Sequence, residues 1–419
     1  MKIAVFGGTG RMGAAVAFDL VQQKDVQSVG LVGRRADALE RTRTWLASPK
    51  IVVHTLDVSN RSDTVALMKQ HDVCVSALPD RFSSYHAMHS AVEAGVHFVD
   101  ILEEYHRRPD RYELERLELP AGTDLDGYGD WLHETALAKG ITVLDGIGFA
   151  PGLSNITVGQ GIRLLDKAES ATARVGGIPT KEAAARHPLS YMVTWSFSHV
   201  LREYVVKLFI RKGGKMVEVD ALTDRERFKF DRLGHDDWME CAVTPGMPSF
   251  IFTRPELADF AEKTVRWPDH FSAVDTLKSC GLLDLRPVNV DGTSVVPRSV
   301  LLALLEPRLR AQKGETDVCV MYNTIRGVKG GKPTEVTYHM WEGADTASGI
   351  SGMGRVTAFP AAIGAAFIGR GVIQARGLVP PEDAIFGEGY RLFQDELAGR
   401  KITIEERVKA LPVEAAAAR

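Results

Sequence analysis

The amino-terminal segment MKIAVFGGTGRMG, residues 1–13, decides the fold. Its apolar run Lys2–Phe6 predicts a short buried strand, and the apolar stretch after the segment predicts a helix. Between them lies Gly8-x-Gly10-x-x-Gly13. The first glycine allows a tight turn, the second lets a pyrophosphate approach the backbone, and the third lets the helix pack on the strand. This context predicts a dinucleotide site, with a purely structural glycine turn as the alternative.

The same alternation of strands and helices continues for a hundred residues. Further strand-like runs, each followed by a helical segment or a turn signal, occur at 26–32, 51–56, 73–77 and 97–100. Strands that alternate with helices on this spacing are typical of α/β proteins. The sequence therefore predicts a Rossmann-type, doubly wound parallel sheet.

The residues after the second strand bear on which nicotinamide cofactor binds. Sites that take NAD usually have an Asp or Glu there, which binds the ribose hydroxyls. This chain has Gly33-Arg34-Arg35 instead, so two guanidiniums can pair with a 2′-phosphate. We therefore expect Arg34 and Arg35 to select NADP, with NAD as the alternative cofactor. Two solvated arginines at a helix start are the structural alternative.

Two further segments at strand ends are candidates for cofactor contact, because ligands of such sheets bind beyond the carboxyl ends of the strands. Asp57 follows the third strand and is expected on the adenine side, although it would equally suit the start of a helix. Ala77, Leu78 and Pro79 follow the fourth strand and are expected near the nicotinamide ribose.

The composition argues against several classes of protein. The 419 residues include 51 Lys and Arg against 54 Asp and Glu, a net charge of −3, which offers no electrostatic basis for binding nucleic acid or an anionic membrane. Four cysteines without a CxxC pair indicate neither a disulfide framework nor a zinc ribbon. The longest apolar run, residues 358–369, is too short to cross a bilayer. Because residue 1 leads directly into a strand, no signal peptide is expected, and we expect a cytoplasmic protein.

The rest of the chain divides into segments of different character. Residues 103–130 are rich in charge, proline and glycine and are expected on the surface. A strand over 141–145 and a Gly/Pro-rich loop over 146–155 mark the exit from the parallel sheet. Residues 156–345 predict an α+β domain with a mixed or antiparallel sheet, since two β-rich runs flank Gly330-Gly331.

Four segments occur in an order that resembles a known family. They are GGTGRMG at 7–13, DGIGFAPGLSN at 145–155, RVGGIP at 174–179 and GLVPPE at 377–382. The first is generic, and the other three are specific as a set. Together they resemble the saccharopine dehydrogenase (saccharopine reductase) and lysine 6-dehydrogenase group over about residues 1–390.

The resemblance implies a domain organisation and an activity. A Rossmann domain of residues 1–150 plus 346–395 would be interrupted by a substrate and dimerisation domain, 151–345, and followed by a C-terminal tail, 396–419. The protein would be a homodimeric enzyme that makes or breaks a C–N bond of an amino-acid-derived substrate by hydride transfer through an imine. The cofactor-binding residues implied are Gly7, Gly8, Thr9, Gly10, Arg11, Met12, Gly13, Arg34, Arg35, Leu78 and Pro79.

The resemblance also places four residues in the active cleft. Asp100 ends the fifth strand and is the candidate catalytic residue, as a proton relay or as a partner of the substrate amine, with a structural role at a turn as the alternative. Phe149, Pro151 and Gly152 are candidate substrate-binding residues. No metal is expected, since the one histidine pair at helical spacing offers too few ligands.

Two other classes of protein compete with this interpretation. A short-chain dehydrogenase would need Tyr-x-x-x-Lys, and none of the nine tyrosines has a lysine four positions later, which excludes that class. A non-catalytic NADP-binding regulator or redox sensor remains an alternative, although a substrate domain of this size argues against that class.

Overall fold

The computed structural model describes residues 1–114 and 117–412, which form two compact units. Unit 1 contains residues 1–163, 247–253 and 354–402, and the remaining residues belong to unit 2. Among the residues described, no helix is both long and apolar enough to cross a membrane. The end of the expected C-terminal tail, residues 413–419, lies outside the described residues.

The first 163 residues alternate strands and helices, as the sequence predicts. Side chains of Asn60, Asp80 and Asp124 each cap a helix by accepting a hydrogen bond from the N–H three residues on, and Gly95 ends a helix with φ 72°. The elements are β1 Lys2–Phe6, α1 Arg11–Gln22, β2 Ser28–Gly33, α2 Ala36–Leu46, β3 Ile51–Thr55, α3 Arg61–Met68, β4 Val73–Ser76, α4 Arg81–Ala94, β5 His97–Asp100, α5 Leu125–Ala138, β6 Thr142–Asp145 and α6 Leu153–Arg163.

The second part of the chain is richer in strands. Its elements are β7 Lys167–Pro179, α7 Lys181–Ala184, α8 Phe197–Glu203, β8 Lys207–Lys212, β9 Lys215–Asp220, β10 Glu226–Phe230, β11 Asp237–Val243, α9 Phe250–Thr253, β12 Asp259–Arg266, α10 His270–Ser279, β13 Val288–Val290, β14 Thr293–Val295, α11 Pro297–Leu309, β15 Asp317–Lys329, β16 Lys332–Gly343, α12 Gly352–Gly369, β17 Gly377–Val379, α13 Pro381–Ala384, α14 Glu388–Gly399 and β18 Glu405–Ala410, with a 3₁₀ turn at Pro188–Ser190.

Unit 1 is built on a seven-stranded sheet of order β17-β6-β5-β4-β1-β2-β3. All six neighbouring pairs are parallel, which confirms the predicted Rossmann-type sheet. The chain moves outward from β1 in one direction through β2 and β3, then returns to the other side of β1 at β4. This change of direction leaves a crevice at the carboxyl ends of β1 and β4, where ligands of doubly wound sheets bind.

Unit 2 is built on a nine-stranded mixed sheet, which confirms the predicted α+β character. β12 and β7 pair in parallel, whereas β15 pairs antiparallel with both β7 and β16. The β15–β16 hairpin turns at Gly330-Gly331, as the sequence predicts. β18 pairs with β16, and α14 runs to Gly399, so residues 396–410 contribute ordered elements rather than a tail.

The expectation that residues 103–130 lie on the surface is wrong for part of that segment. Glu104, Tyr105 and His106 are only 3%, 6% and 0% exposed. Leu114 and Tyr128 are buried in the core of unit 1. Charged side chains are seldom buried unless they are paired, and the partners of Glu104 and His106 come from distant positions in the sequence.

Candidate active site

A pocket of about 620 Å³ lies at the carboxyl ends of β1, β2, β3 and β4. This is the crevice that the strand order of unit 1 creates. Nine of the expected cofactor residues line it, namely Gly7, Thr9, Gly10, Arg34, Arg35, Asp57, Ala77, Leu78 and Pro79. The other four expected residues, Gly8, Arg11, Met12 and Gly13, belong to the same loop and helix start but do not line the pocket.

The glycine loop is packed so closely that side chains would not fit at two of its positions. A Cβ atom on Gly7 would lie 2.9 Å from the carbonyl carbon of Ala77, and one on Gly13 would lie 2.7 Å from that of Gly7. Gly10 is the N-cap residue of α1 and makes no side-chain cap. Backbone N–H groups at such a helix start suit a phosphate. The loop therefore fits the pyrophosphate of a dinucleotide.

Arg34, Arg35 and Asp57 are charged residues that line the pocket. Both arginines are exposed and precede α2. The carboxylate of Asp57 accepts hydrogen bonds from the N–H and Oγ of Ser59, at 3.0 and 2.8 Å. Those bonds, with a weaker contribution from Arg34, hold the pKa of Asp57 below its usual value. Asp57 thus both shapes the turn into the next helix and faces the pocket.

The expected substrate residues Phe149, Pro151 and Gly152 lie in the loop after β6, and all three are buried. The beginning of this loop is bound by Asp100, whose carbonyl oxygen accepts hydrogen bonds from Gly146 N and Ile147 N at 3.0 and 2.7 Å. The end is bound by α6, where Asn155 Oδ1 accepts from Gly152 N at 3.0 Å. The contact of these residues with substrate stays a prediction.

Asp100 does not line the pocket, and its carboxylate belongs to a buried polar cluster. It is 1% exposed and accepts a hydrogen bond from Ser84 Oγ. His106 Nε2 lies 3.1 Å from the same hydroxyl and 3.5 Å from Asp100 Oδ2. On the other side of the ring, His106 Nδ1 lies 2.6 Å from Asp145 Oδ1. We call Ser84, Asp100, His106 and Asp145 the His106 cluster.

The electrostatics of the His106 cluster depend on burial and on close charges. Burial raises the pKa of Asp100. Burial lowers the pKa of His106, but the carboxylates of Asp145, Asp100 and Glu104 outweigh it and raise that pKa to about 9. One oxygen or nitrogen atom from each of Asp100, His106 and Asp145 lies within 4.8 Å of the other two. In this structure Asp100 and His106 are hydrogen-bonded to Ser84, and His106 is hydrogen-bonded to Asp145.

Sequence reasoning missed three members of this cluster for different reasons. Ser84 lies within a helix and His106 in a segment expected on the surface, so neither has a local signal. Asp145 ends β6 as Asp100 ends β5, and the two are paired in register. The strand-end argument that selected Asp100 could therefore have selected Asp145.

A second buried pair, Arg81 with Glu104, adjoins the cluster. The two side chains are 5% and 1% exposed. Arg81 Nη2 donates to Glu104 Oε1 at 2.9 Å and to the carbonyl oxygen of Asp110 at 2.8 Å. Its Nη1 donates to the carbonyl oxygen of Tyr112. One arginine thus ties α4 to the connection after β5.

Removing one partner of this pair is expected to be strongly destabilising. Arg81→Met should lower the free energy of unfolding by about 3–5 kcal/mol, because Glu104 is left as an uncompensated buried charge. Denaturant unfolding followed by circular dichroism would measure this. Arg107→Met is the matched control, since Arg107 and its partner Asp130 are 34% and 43% exposed and such pairs contribute about 0–1 kcal/mol. Equal losses of unfolding free energy in the two variants would contradict the conclusion that the buried Arg81–Glu104 pair stabilises the protein more than the exposed pair does.

Comparison with known protein families shows which family the chain belongs to. The profile of the saccharopine dehydrogenase C-terminal domain matches residues 148–402, more than half of the chain. The profile of the saccharopine dehydrogenase NADP-binding domain matches residues 3–123. The chain belongs to the saccharopine dehydrogenase family. This confirms the resemblance drawn from the motifs, and it confirms an NADP-binding oxidoreductase.

Proteins named as dehydrogenases resemble this chain at low identity over most of its length. Carboxyaminopropylagmatine dehydrogenase of Synechocystis sp. is 23% identical over 90% of this chain and 91% of its own. Saccharopine dehydrogenase [NADP(+), L-glutamate-forming] of Pyricularia oryzae is 21% identical over 78% of this chain and 82% of its own. Apo saccharopine dehydrogenase (L-Glu forming) of Saccharomyces cerevisiae has the same fold, with a TM-score of 0.75 over 98% of this chain and 100% of its own at 19% identity.

Proposed function

We propose that this protein transfers a hydride between NADP(H) and the carbon of a C–N bond in an amino-acid-derived substrate. The observation that carries the proposal is the pocket, in which the glycine loop, the Arg34–Arg35 pair and Leu78 with Pro79 lie together at four strand ends. Membership of the saccharopine dehydrogenase family supports the class of reaction. All three relatives named above carry the name of a dehydrogenase.

The proposed reaction is balanced by one hydride and one proton. In the reductive direction NADPH supplies the hydride to the carbon of an imine. The π electrons of the C=N bond move to nitrogen, which takes up a proton, and a secondary amine results. The oxidative direction reverses each transfer.

The residues of the chain bind and orient the reactants in this proposal. N–H groups at the start of α1 hold the pyrophosphate, and Arg34 and Arg35 hold the 2′-phosphate. Leu78 and Pro79 border the nicotinamide ribose. A catalytic role for Asp100 stays a prediction, and its carboxylate accepts a hydrogen bond from Ser84.

The function is tested by NADPH oxidation with pairs of amines and carbonyl compounds. The full chain is mixed with NADPH, an amine and an aldehyde or keto acid, and absorbance of NADPH is followed. L-Glutamate and agmatine are the first amines to test, since both words occur in the names of the relatives. We expect turnover on the order of 10 s⁻¹ with at least one pair and none with either component alone. Tight NADPH binding without turnover across the panel would instead favour a non-catalytic regulator.

The remaining features of the proposal follow from the resemblance and the composition. We propose that the protein acts as a homodimer in the cytoplasm, that residues 151–345 provide the substrate and dimerisation domain, and that the partner is a small molecule rather than nucleic acid or a membrane.

A further inference from the structure

When Asp100 is ionised, proton counting gives each hydrogen bond of the His106 cluster a direction. Ser84 Oγ carries one proton, which it donates to Asp100 Oδ2. In the contact of 3.1 Å between Ser84 Oγ and His106 Nε2, the nitrogen must then be the donor. His106 Nδ1 donates to Asp145 Oδ1 at 2.6 Å. Because both ring nitrogens donate when Asp100 is ionised, the side chain of His106 is then an imidazolium, in agreement with its raised pKa.

Charged and titratable groups face this ring from each element around it. Asp100 ends β5, Asp145 ends β6, and Glu104 belongs to the same connection as His106. Tyr85 of α4 packs edge-on against the ring, with centroids 4.6 Å apart. Glu104 already has an arginine partner. The ring of His106 therefore lies between the two aspartates at the strand ends.

Those two aspartates also contact or directly precede the loop that follows β6. The carbonyl oxygen of Asp100 accepts from Gly146 N and Ile147 N. Asp145 directly precedes the loop, and its Oδ2 accepts from His106 N at 3.0 Å. A shift of either aspartate would shift the first residues of the loop. The loop lies at the carboxyl ends of the parallel strands, where the reactants of this fold bind.

We propose that His106 is a positioning residue, which joins Asp145 directly and Asp100 through Ser84 and so sets the conformation of residues 146–152 for the reaction. No contact between His106 and substrate or cofactor is required. The inference rests on the proposed function for its kinetic consequences only.

The first test uses His106→Gln, which replaces the imidazolium by a neutral amide. With the substrate pair that turns over, kcat should fall about 10- to 100-fold, as when reacting groups are misplaced. The Kd for NADPH should stay within about twofold, because no residue of the cluster lines the pocket. In the wild type kcat should decline as the pH rises through about 9, where His106 loses its proton, and the variant should lack this decline. Unchanged kcat, or equal losses of kcat and NADPH affinity, would overturn the proposal.

A second variant keeps the test decisive if His106→Gln does not fold. Ser84→Ala removes only the link to Asp100 and should lower kcat about three- to tenfold, the effect of one hydrogen bond. Ser90→Ala is its matched control, because Ser90 is also fully buried in α4 but bonds to His86 O at 2.9 Å in the same helix. Ser90→Ala should leave kcat unchanged. Equal losses of kcat in both serine variants would contradict the positioning role of the His106 cluster.

Hydrogen exchange separates this inference from the proposed function. In His106→Gln the amides of residues 146–153 should exchange at least about tenfold faster than in the wild type, while the glycine loop, residues 7–13, should not change. This result supports the role of His106 even if the substrate panel gives no turnover, in which case only the proposed function fails. Unchanged exchange over 146–153 would overturn the role of His106 whatever the turnover.

Discussion

Replacing Arg34 and Arg35 together by serine is expected to raise the Kd for NADPH at least about 100-fold and to leave the Kd for NADH within about threefold. Each guanidinium can make a charge-assisted hydrogen bond to the 2′-phosphate worth about 1.5–3 kcal/mol. Among residues 1–114 and 117–412 neither arginine has an ion-pair partner, so both are available to the cofactor. Fluorescence titration with each nucleotide would measure the two constants.

The matched control for this pair is Arg41→Ser. Arg41 lies on α2, is 66% exposed and is paired with Asp37 at 2.7 Å. It does not line the pocket, so its loss should leave both dissociation constants unchanged. A double variant that binds both nucleotides as the wild type does would contradict the assignment of Arg34 and Arg35. Equal weakening for NADPH and NADH would indicate damage to the loop rather than loss of a phosphate site.

Gly13→Ala is expected to abolish detectable NADPH binding and to destabilise the protein. The new Cβ atom would lie 2.7 Å from the carbonyl carbon and closer still to the carbonyl oxygen of Gly7. These are backbone atoms, which cannot rotate away as a side chain can, so the loop itself must move. Overpacking of this kind costs about 1–3 kcal/mol or more. Thermal unfolding with and without NADPH would show both a lower Tm and the loss of stabilisation by the cofactor.

Two other glycines provide controls for the size of this effect. Gly389 lies in α14, where a Cβ atom would meet only Val372 Cγ1 at 3.9 Å. Gly389→Ala should therefore stabilise the protein by about 0.5–1 kcal/mol and leave cofactor binding unchanged. Gly10 is exposed and faces the pocket, so Gly10→Ala should weaken NADPH binding with little loss of Tm. The interpretation of the loop would be wrong if Gly13→Ala bound NADPH normally.

Much of the fold follows from local sequence, because the signals for it span only a few residues. The loop Gly7–Gly13 predicts a tight turn between a preceding strand and a following helix. Gly330-Gly331 marks the β15–β16 hairpin in the same way, with β-rich runs on either side. Arg34 and Arg35 are assigned by their position directly after β2. For this reason the Rossmann sheet, the mixed sheet and most of the residues that line the pocket were predictable from the sequence.

The His106 cluster and the Arg81–Glu104 pair could not be predicted in this way. His106 lies 39 residues from Asp145 and 22 from Ser84, and only the order of the parallel strands brings these groups together. A charged segment such as 103–130 is expected on the surface because burying a charge is costly. In the tertiary structure Glu104 and His106 are nevertheless buried, because each has an oppositely charged partner. The sequence by itself therefore determined the two sheets and the candidate cofactor residues, whose signals are local. Only the tertiary structure decided which charged groups are buried, because their partners are distant in the chain.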